Sequence, residues 1–207
     1  MKQFLFVLMF GWTTLLSAQE DNTNSGKWSA HISISQNPAS LVVPKFNPIH
    51  PGFQLGAVYQ WNNHRKHRLI QYLNGGFMYH HQVQKAIRLY TEIGYELGIK
   101  RLSIVPLAIG GGYVASISDL TTLKWNPATS EYETVNTALR NNWIVSLGPS
   151  LNYETKLAIA ERPIRILLDY RLQVQGIIIN ESAPIIAYAP IRIGISVPFS
   201  KTNRTEQ

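Results

Sequence analysis

The sequence predicts an all-β chain, an eight-stranded antiparallel up-and-down transmembrane β-barrel, on three observations. Eight successive segments alternate apolar and polar residues with a period of two. One face of nearly every segment is bulky and apolar, while the other carries small residues beside charged ones. The links between segments largely alternate long and short.

At 207 residues, with no internal shift of composition, the chain is read as a single domain. Charged residues at 15% and aromatics at 11% fit neither a disordered chain nor a bundle of membrane helices. Cysteine is absent, which excludes disulfides, thiolate metal sites and cysteine catalysis. The net charge of +7 is spread along the chain instead of gathered in one run, so nucleic acid is not an expected partner.

Residues 1–18 read as a signal peptide: Lys2 starts it, Phe4 to Leu16 is almost wholly apolar, and Ser17 and Ala18 end it with small residues. Residues 19–26 are a polar leader, 27–199 the barrel and 200–207 a polar tail. After Ala18 no apolar run approaches the roughly 20 residues of a membrane helix.

The first segment sets Trp28, Ala30, Ile32 and Ile34 against Ser29, His31, Ser33 and Ser35. In the second, Phe53, Leu55, Ala57, Tyr59 and Trp61 oppose Gln54, Gly56 and Gln60, with Val58 out of pattern. The third, Arg68 to His80, is interrupted by Gln71, Asn74, Gly75 and Gly76, which suggests a bulge and leaves its facing open. The fourth is regular: Ile87, Leu89, Thr91, Ile93, Tyr95 and Leu97 oppose Arg88, Tyr90, Glu92, Gly94, Glu96 and Gly98. The fifth puts Val105, Leu107, Ile109 and Tyr113 opposite Ala108, Gly110 and Gly112, although Ile104 and Pro106 blur its start. In the sixth, Trp143, Val145, Leu147, Leu151 and Tyr153 oppose Asn142, Ser146, Gly148, Ser150, Asn152 and Glu154. The seventh sets Ile164, Ile166, Leu168, Tyr170, Leu172 and Val174 against Arg165, Asp169, Arg171, Gln173 and Gln175. The eighth sets Ile191, Ile193, Ile195, Val197 and Phe199 against Arg192, Gly194 and Ser196.

The long links run from Asn37 to Pro51, His81 to Ala86, Ser116 to Asn141 and Ile177 to Ala189. The short ones are Asn62 to His67, Ile99 to Arg101 and Lys156 to Arg162. Short periplasmic turns, longer outer loops and an even strand number would leave both termini in the periplasm. Alternation alone also suits a soluble barrel, but there the bulky face would have to fit inside. An eight-stranded barrel has interior room only for side chains, so the face mixing glycines with arginines belongs inside and the bulky face outside. Aromatics gather toward the segment ends: Trp28, Tyr59, Trp61, Tyr153 and Phe199 at one end, Phe53, Tyr113 and Trp143 at the other. They are expected to form two interfacial girdles in contact with membrane lipid.

Together, the export signal, the eight segments and the final aromatic Phe199 resemble small bacterial outer-membrane β-barrel proteins of the OmpA-like and OmpX-like eight-stranded size class. The resemblance covers Lys27 to Phe199 and is architectural. It implies an outer membrane of Gram-negative type, and a last strand read by the assembly machinery. It transmits no function by itself.

Among residues that could carry chemistry, Arg88, Arg165, Arg171 and Arg192 face inward with Glu92, Glu96, Glu154 and Asp169. Four charges of each sign point to an ionic network that seals the lumen, whereas a pore would favour an excess of one sign. His31 and Ser33 share a face and could belong to a lipid-modifying hydrolase, but that face is the lumen, away from a lipid substrate. His64 with His67, and His80 with His81, lack a third metal ligand nearby. Gly110, Gly111 and Gly112 lie inside a strand with no Lys-Ser/Thr following, so they read as close packing and not as a phosphate loop. No catalytic residue, metal or cofactor is expected. The function expected is structural or adhesive, with an extracellular ligand of unknown identity at the loops; a narrow channel or small-solute binder is the alternative, and a lipid A-modifying enzyme a third.

Overall fold

The computed structural model describes residues 28–39, 48–62, 64, 66–80, 84–118, 122–135, 139–160, 162–177 and 185–199. The expected signal peptide, leader and C-terminal tail lie outside these residues. The strands are β1 (Trp28–Gln36), β2 (Pro51–Gln60), β3 (His67–His80), β4 (Gln84–Ile99), β5 (Leu102–Ser118), β6 (Thr122–Asn126), β7 (Glu131–Val135), β8 (Arg140–Ile159), β9 (Arg162–Tyr170), β10 (Leu172–Ile177), β11 (Ile186–Tyr188) and β12 (Ile191–Pro198). Ten of them form one sheet, ordered β11-β10-β8-β5-β4-β3-β2-β1-β12-β9, and β9 also pairs with β8. That last pairing closes the sheet on itself. Taking β9 with β10 and β11 with β12 as single staves, the molecule is a closed eight-stranded antiparallel barrel.

The period-two pattern sets which side chains meet lipid and which fill the lumen. Ile34, Leu55, Leu89, Ile109, Leu168 and Ile193 are exposed on the outside, while His31, Gln54, Glu92, Ser146, Asp169 and Arg192 are buried within. An apolar outside around a hydrogen-bonded polar inside is what a closed barrel needs when its outer solvent is hydrocarbon, because hydrocarbon can solvate neither charged side chains nor a free strand edge. The protein is a transmembrane barrel of the outer-membrane kind. Two small apolar clusters also lie in the lumen: Met78, Ala86, Tyr90, Val114, Ile144 and Tyr188 toward the long-loop end, and Ile70, Tyr72, Val105 and Ala108 toward the end that holds Trp28 and Phe199.

Several expectations change. β3 pairs with β2 and β4 in unbroken register, so the bulge expected there is not found. One irregularity falls in β5, where register shifts between Val105 and Ala108, and another in β8 between Glu154 and Ala158. Pro106 has no N–H for the ladder, and it bulges outward with Leu107. The alternation therefore changes phase, and Val105, expected outside, is fully buried in the lumen. The link between β3 and β4 is only residues 81–83, shorter than the expected His81 to Ala86 and out of line with the other long links. The longest link carries its own hairpin, β6 with β7, in a separate two-stranded sheet. The link from Ile177 to Ala189 contains β11, because Ile186 to Tyr188 pair with Gln173 to Gln175.

The seventh stave is broken at Arg171, and two prolines explain why. Pro149 of β8 cannot donate to it, and the ladder between β8 and this stave resumes only at Leu147 and Ser150. On the other side, Arg171 N donates to Pro190 O at 3.0 Å, at the point where β11 gives way to β12.

Candidate functional site: the charged lumen

Arg171 fills this break with its own side chain. Its Nη1 donates to Pro149 O (2.5 Å) and Tyr170 O (3.1 Å), its Nη2 to Ser150 Oγ (2.8 Å), and its Nε to Glu92 Oε1 (3.1 Å). Glu92, from the middle of β4, also accepts from Ser146 Oγ at 2.6 Å. Both charged side chains are 1% exposed. In such a setting a charge holds its place only if paired and hydrogen-bonded, and here each is both.

Arg192 of β12 joins the same layer. Its Nε lies 3.5 Å from Asp169 Oδ2, and its Nη2 lies 4.0 Å from Glu92 Oε2. Nη1 donates to Gln54 Oε1 at 2.8 Å and to the Tyr90 hydroxyl, which in turn donates to Gln54 Oε1 at 2.6 Å. Gln54 Nε2 continues the chain to Asn74 Oδ1 at 3.1 Å. Glu92, Asp169, Arg171 and Arg192, all expected on the inward face, are thus brought together.

Toward the Trp28 end, Glu96 is bound by Arg68 at 2.9 Å, and Arg68 also donates to Ser103 Oγ at 2.9 Å. Arg68 was not among the expected network residues because the facing of its strand could not be read from the broken pattern. Glu154 and Arg165 sit 3.8 Å apart, each side chain about 30% exposed, so this pair is a wet one. Toward the loops, Arg88 departs from the expected one-to-one pairing. Its partners are neutral: Gln173 Oε1 at 2.7 Å and Asn37 Oδ1 at 3.1 Å. Around it, Gln84 donates to Gln175 Oε1 (3.1 Å) and to the Tyr188 hydroxyl (2.8 Å). The lumen amides were visible in the sequence as polar-face residues, but nothing there ranked them with the charges.

His31 and Ser33 are buried inside the barrel, with His31 edge-on to Tyr72 at 6.3 Å. The gap that admits the ring is Gly56, where a Cβ would sit 2.7 Å from His31 Cε1. His80 stacks on His50 at 3.5 Å, while His81 lies outside the described residues. His67 lies 5.9 Å from the Tyr95 ring, and His64 is exposed. Gly110 and Gly112 sit where strands approach closely: a Cβ would collide with Thr91 O at the first and with Leu89 O at the second.

The aromatic residues lie at two levels. Trp28 and Tyr59 are cross-strand partners with rings 4.7 Å apart, and Trp61 meets Tyr59 at 5.1 Å. Phe199 N donates to Trp28 O at 2.9 Å, and Tyr153 is exposed on the next stave but one. At the opposite end, Tyr113 pairs across strands with Trp143 and donates its hydroxyl to Asn141 Oδ1, while Phe53 faces outward on β2.

No protein-family model matches the chain, and no curated protein does. Among solved structures, the chain is similar to Neisserial surface protein A at 11% identity, covering 82% of this chain and 96% of that one, with a TM-score of 0.49. It is similar to the outer membrane enzyme PagL at 12% identity, covering 82% and 99%, with a TM-score of 0.44. It is also similar to Ail, the attachment invasion locus protein of Yersinia pestis, at 13% identity, covering 84% and 99%, with a TM-score of 0.38.

Proposed function

We propose that the protein is a non-enzymatic outer-membrane barrel that does not conduct freely and that serves a structural or surface-contact role, adhesive through its loop end. The observation that carries this reading is the layer of paired charges across the lumen, centred on Glu92 and Arg171. A side-chain plug of this kind suits a barrel of eight strands, whose interior is no wider than side chains require. The burial of His31 and Ser33 inside the barrel argues against lipid hydrolysis there. The aromatic levels suit contact with lipid headgroups, and β12, with Phe199 directly after it, suits recognition by the assembly machinery. Both termini are read as periplasmic, with the β6–β7 hairpin outside. That hairpin presents Trp125 and Tyr132, 48% and 67% exposed and 5.1 Å apart, to a ligand yet to be identified.

The test combines three measurements on one preparation and its cells. Planar-bilayer recordings should lack large steady conductance, and lipid A mass spectra should be the same with and without the protein. Cells displaying it should adhere to plates coated with matrix protein or polysaccharide more than cells displaying a form without residues 119–138. Steady conductance would promote the channel reading, and altered lipid A the enzyme reading.

A further inference from the structure

The charge count by layer is uneven. In the middle of the lumen, Arg171 and Arg192 face Glu92 and Asp169. Toward the Trp28 end, Arg68 and Arg165 face Glu96 and Glu154. Each of these four arginines lies within 4.0 Å of a carboxylate. Arg88, buried at 1% exposure like Arg171, has none at that distance among the described residues. Glu92, the nearest carboxylate along its own strand, is taken by Arg171 and Ser146.

The two neutral oxygens on Arg88, from Gln173 and Asn37, orient the guanidinium through Nη1 and Nη2. Being neutral, they supply no counter-charge of their own. The third guanidinium nitrogen, Nε, is buried without a hydrogen-bond partner among the described residues. An unpaired buried cation costs several kcal/mol or more, and the described residues set this one beside amide side chains that donate as readily as they accept. We propose that Arg88 holds a small inorganic anion of chloride size at the loop end of the lumen, as the counter-charge to this layer. The anion reaches the site from the loop side, because the paired middle layer separates Arg88 from the other end. The rival occupant is a carboxylate of the chain itself, Asp119 or Glu181, from links outside the described residues.

Crystals of the detergent-purified barrel grown with sodium bromide are expected to show an anomalous bromide peak within hydrogen-bond distance of Arg88 Nε. With ionic strength held constant by gluconate, the melting midpoint of the unmodified protein should rise by about 3 °C for each tenfold increase in chloride once the site begins to fill. In Arg88→Gln that response should vanish, while in a double Asp119→Asn, Glu181→Gln variant it should persist. Bromide confined to surface positions, or a chloride response that survives in Arg88→Gln, overturns the proposal. Should Arg88→Gln fail to fold, the bromide map of the unmodified protein decides alone.

Discussion

At the scale of single residues, the consequence of losing a charge depends on how many partners it leaves behind. Glu92 holds Arg171 and Ser146 directly and lies near Arg192. Glu92→Gln therefore strands a buried guanidinium, and the expected loss is about 3 to 5 kcal/mol, read as a lower urea midpoint for the barrel refolded into detergent or lipid. Asp169→Asn should cost less, because Arg192 keeps Gln54 and Tyr90 and still has Glu92 nearby. Glu154→Gln, from the wet pair with Arg165, should change stability by less than about 1 kcal/mol. If the three variants unfold at the same midpoint, pairing in the lumen does not contribute in this order.

At the scale of elements, the β6–β7 hairpin stands apart from the staves. Among the described residues it pairs only with itself, in register from Thr122 with Val135 to Asn126 with Glu131, so the closed sheet there owes it no hydrogen bonds. Deleting residues 119–138 should leave barrel folding intact, measured as an unchanged gel shift on boiling. Protease added to intact cells should cut first between Ser116 and Asn141, which holds the Lys124 and Arg140 sites. Cleavage at Arg65 or Lys100 under the same conditions would reverse the assignment of inside and outside. The opposite end is built differently. Its links are tight, with Lys100 and Ala160 at φ 55° and 51°, the left-handed backbone that sharp connections between twisted strands require.

At the scale of the whole molecule, closure decides behaviour. Pairing of β1 with β12 over Ser29 to Gln36 leaves the first and last barrel strands without a free edge, so no stave can peel away alone. The folded protein should resist SDS at room temperature and run at a different mobility after boiling, whereas equal mobility in membrane-extracted samples would count against a closed barrel. The same closure sets the lumen width, and with the Glu92 layer across it, single-channel recordings should show no large steady current. Glu92→Gln recorded beside the unmodified protein tests whether the charge layer is the plug.

By itself the sequence determined the architecture and the division between lipid-facing and lumen-facing residues, because a period of two is a local property that survives any arrangement of neighbours. It was legible wherever alternation was clean, as from Ile87 to Leu97, where Glu92 and Ile93 fall on opposite sides. It misled where one residue changed the phase: Pro106 pushes outward with Leu107 and turns Val105 inward. Which charge meets which was decided only by tertiary structure. Glu92 and Arg171 are 79 residues apart in the chain, and strand stagger around the closed sheet, with the break that Pro149 and Pro190 make at Arg171, sets them 3.1 Å apart. A count of charges on the inward face suggested balance, but balance is a matter of distance. Closure places Arg68 beside Glu96 and leaves Arg88 among amides.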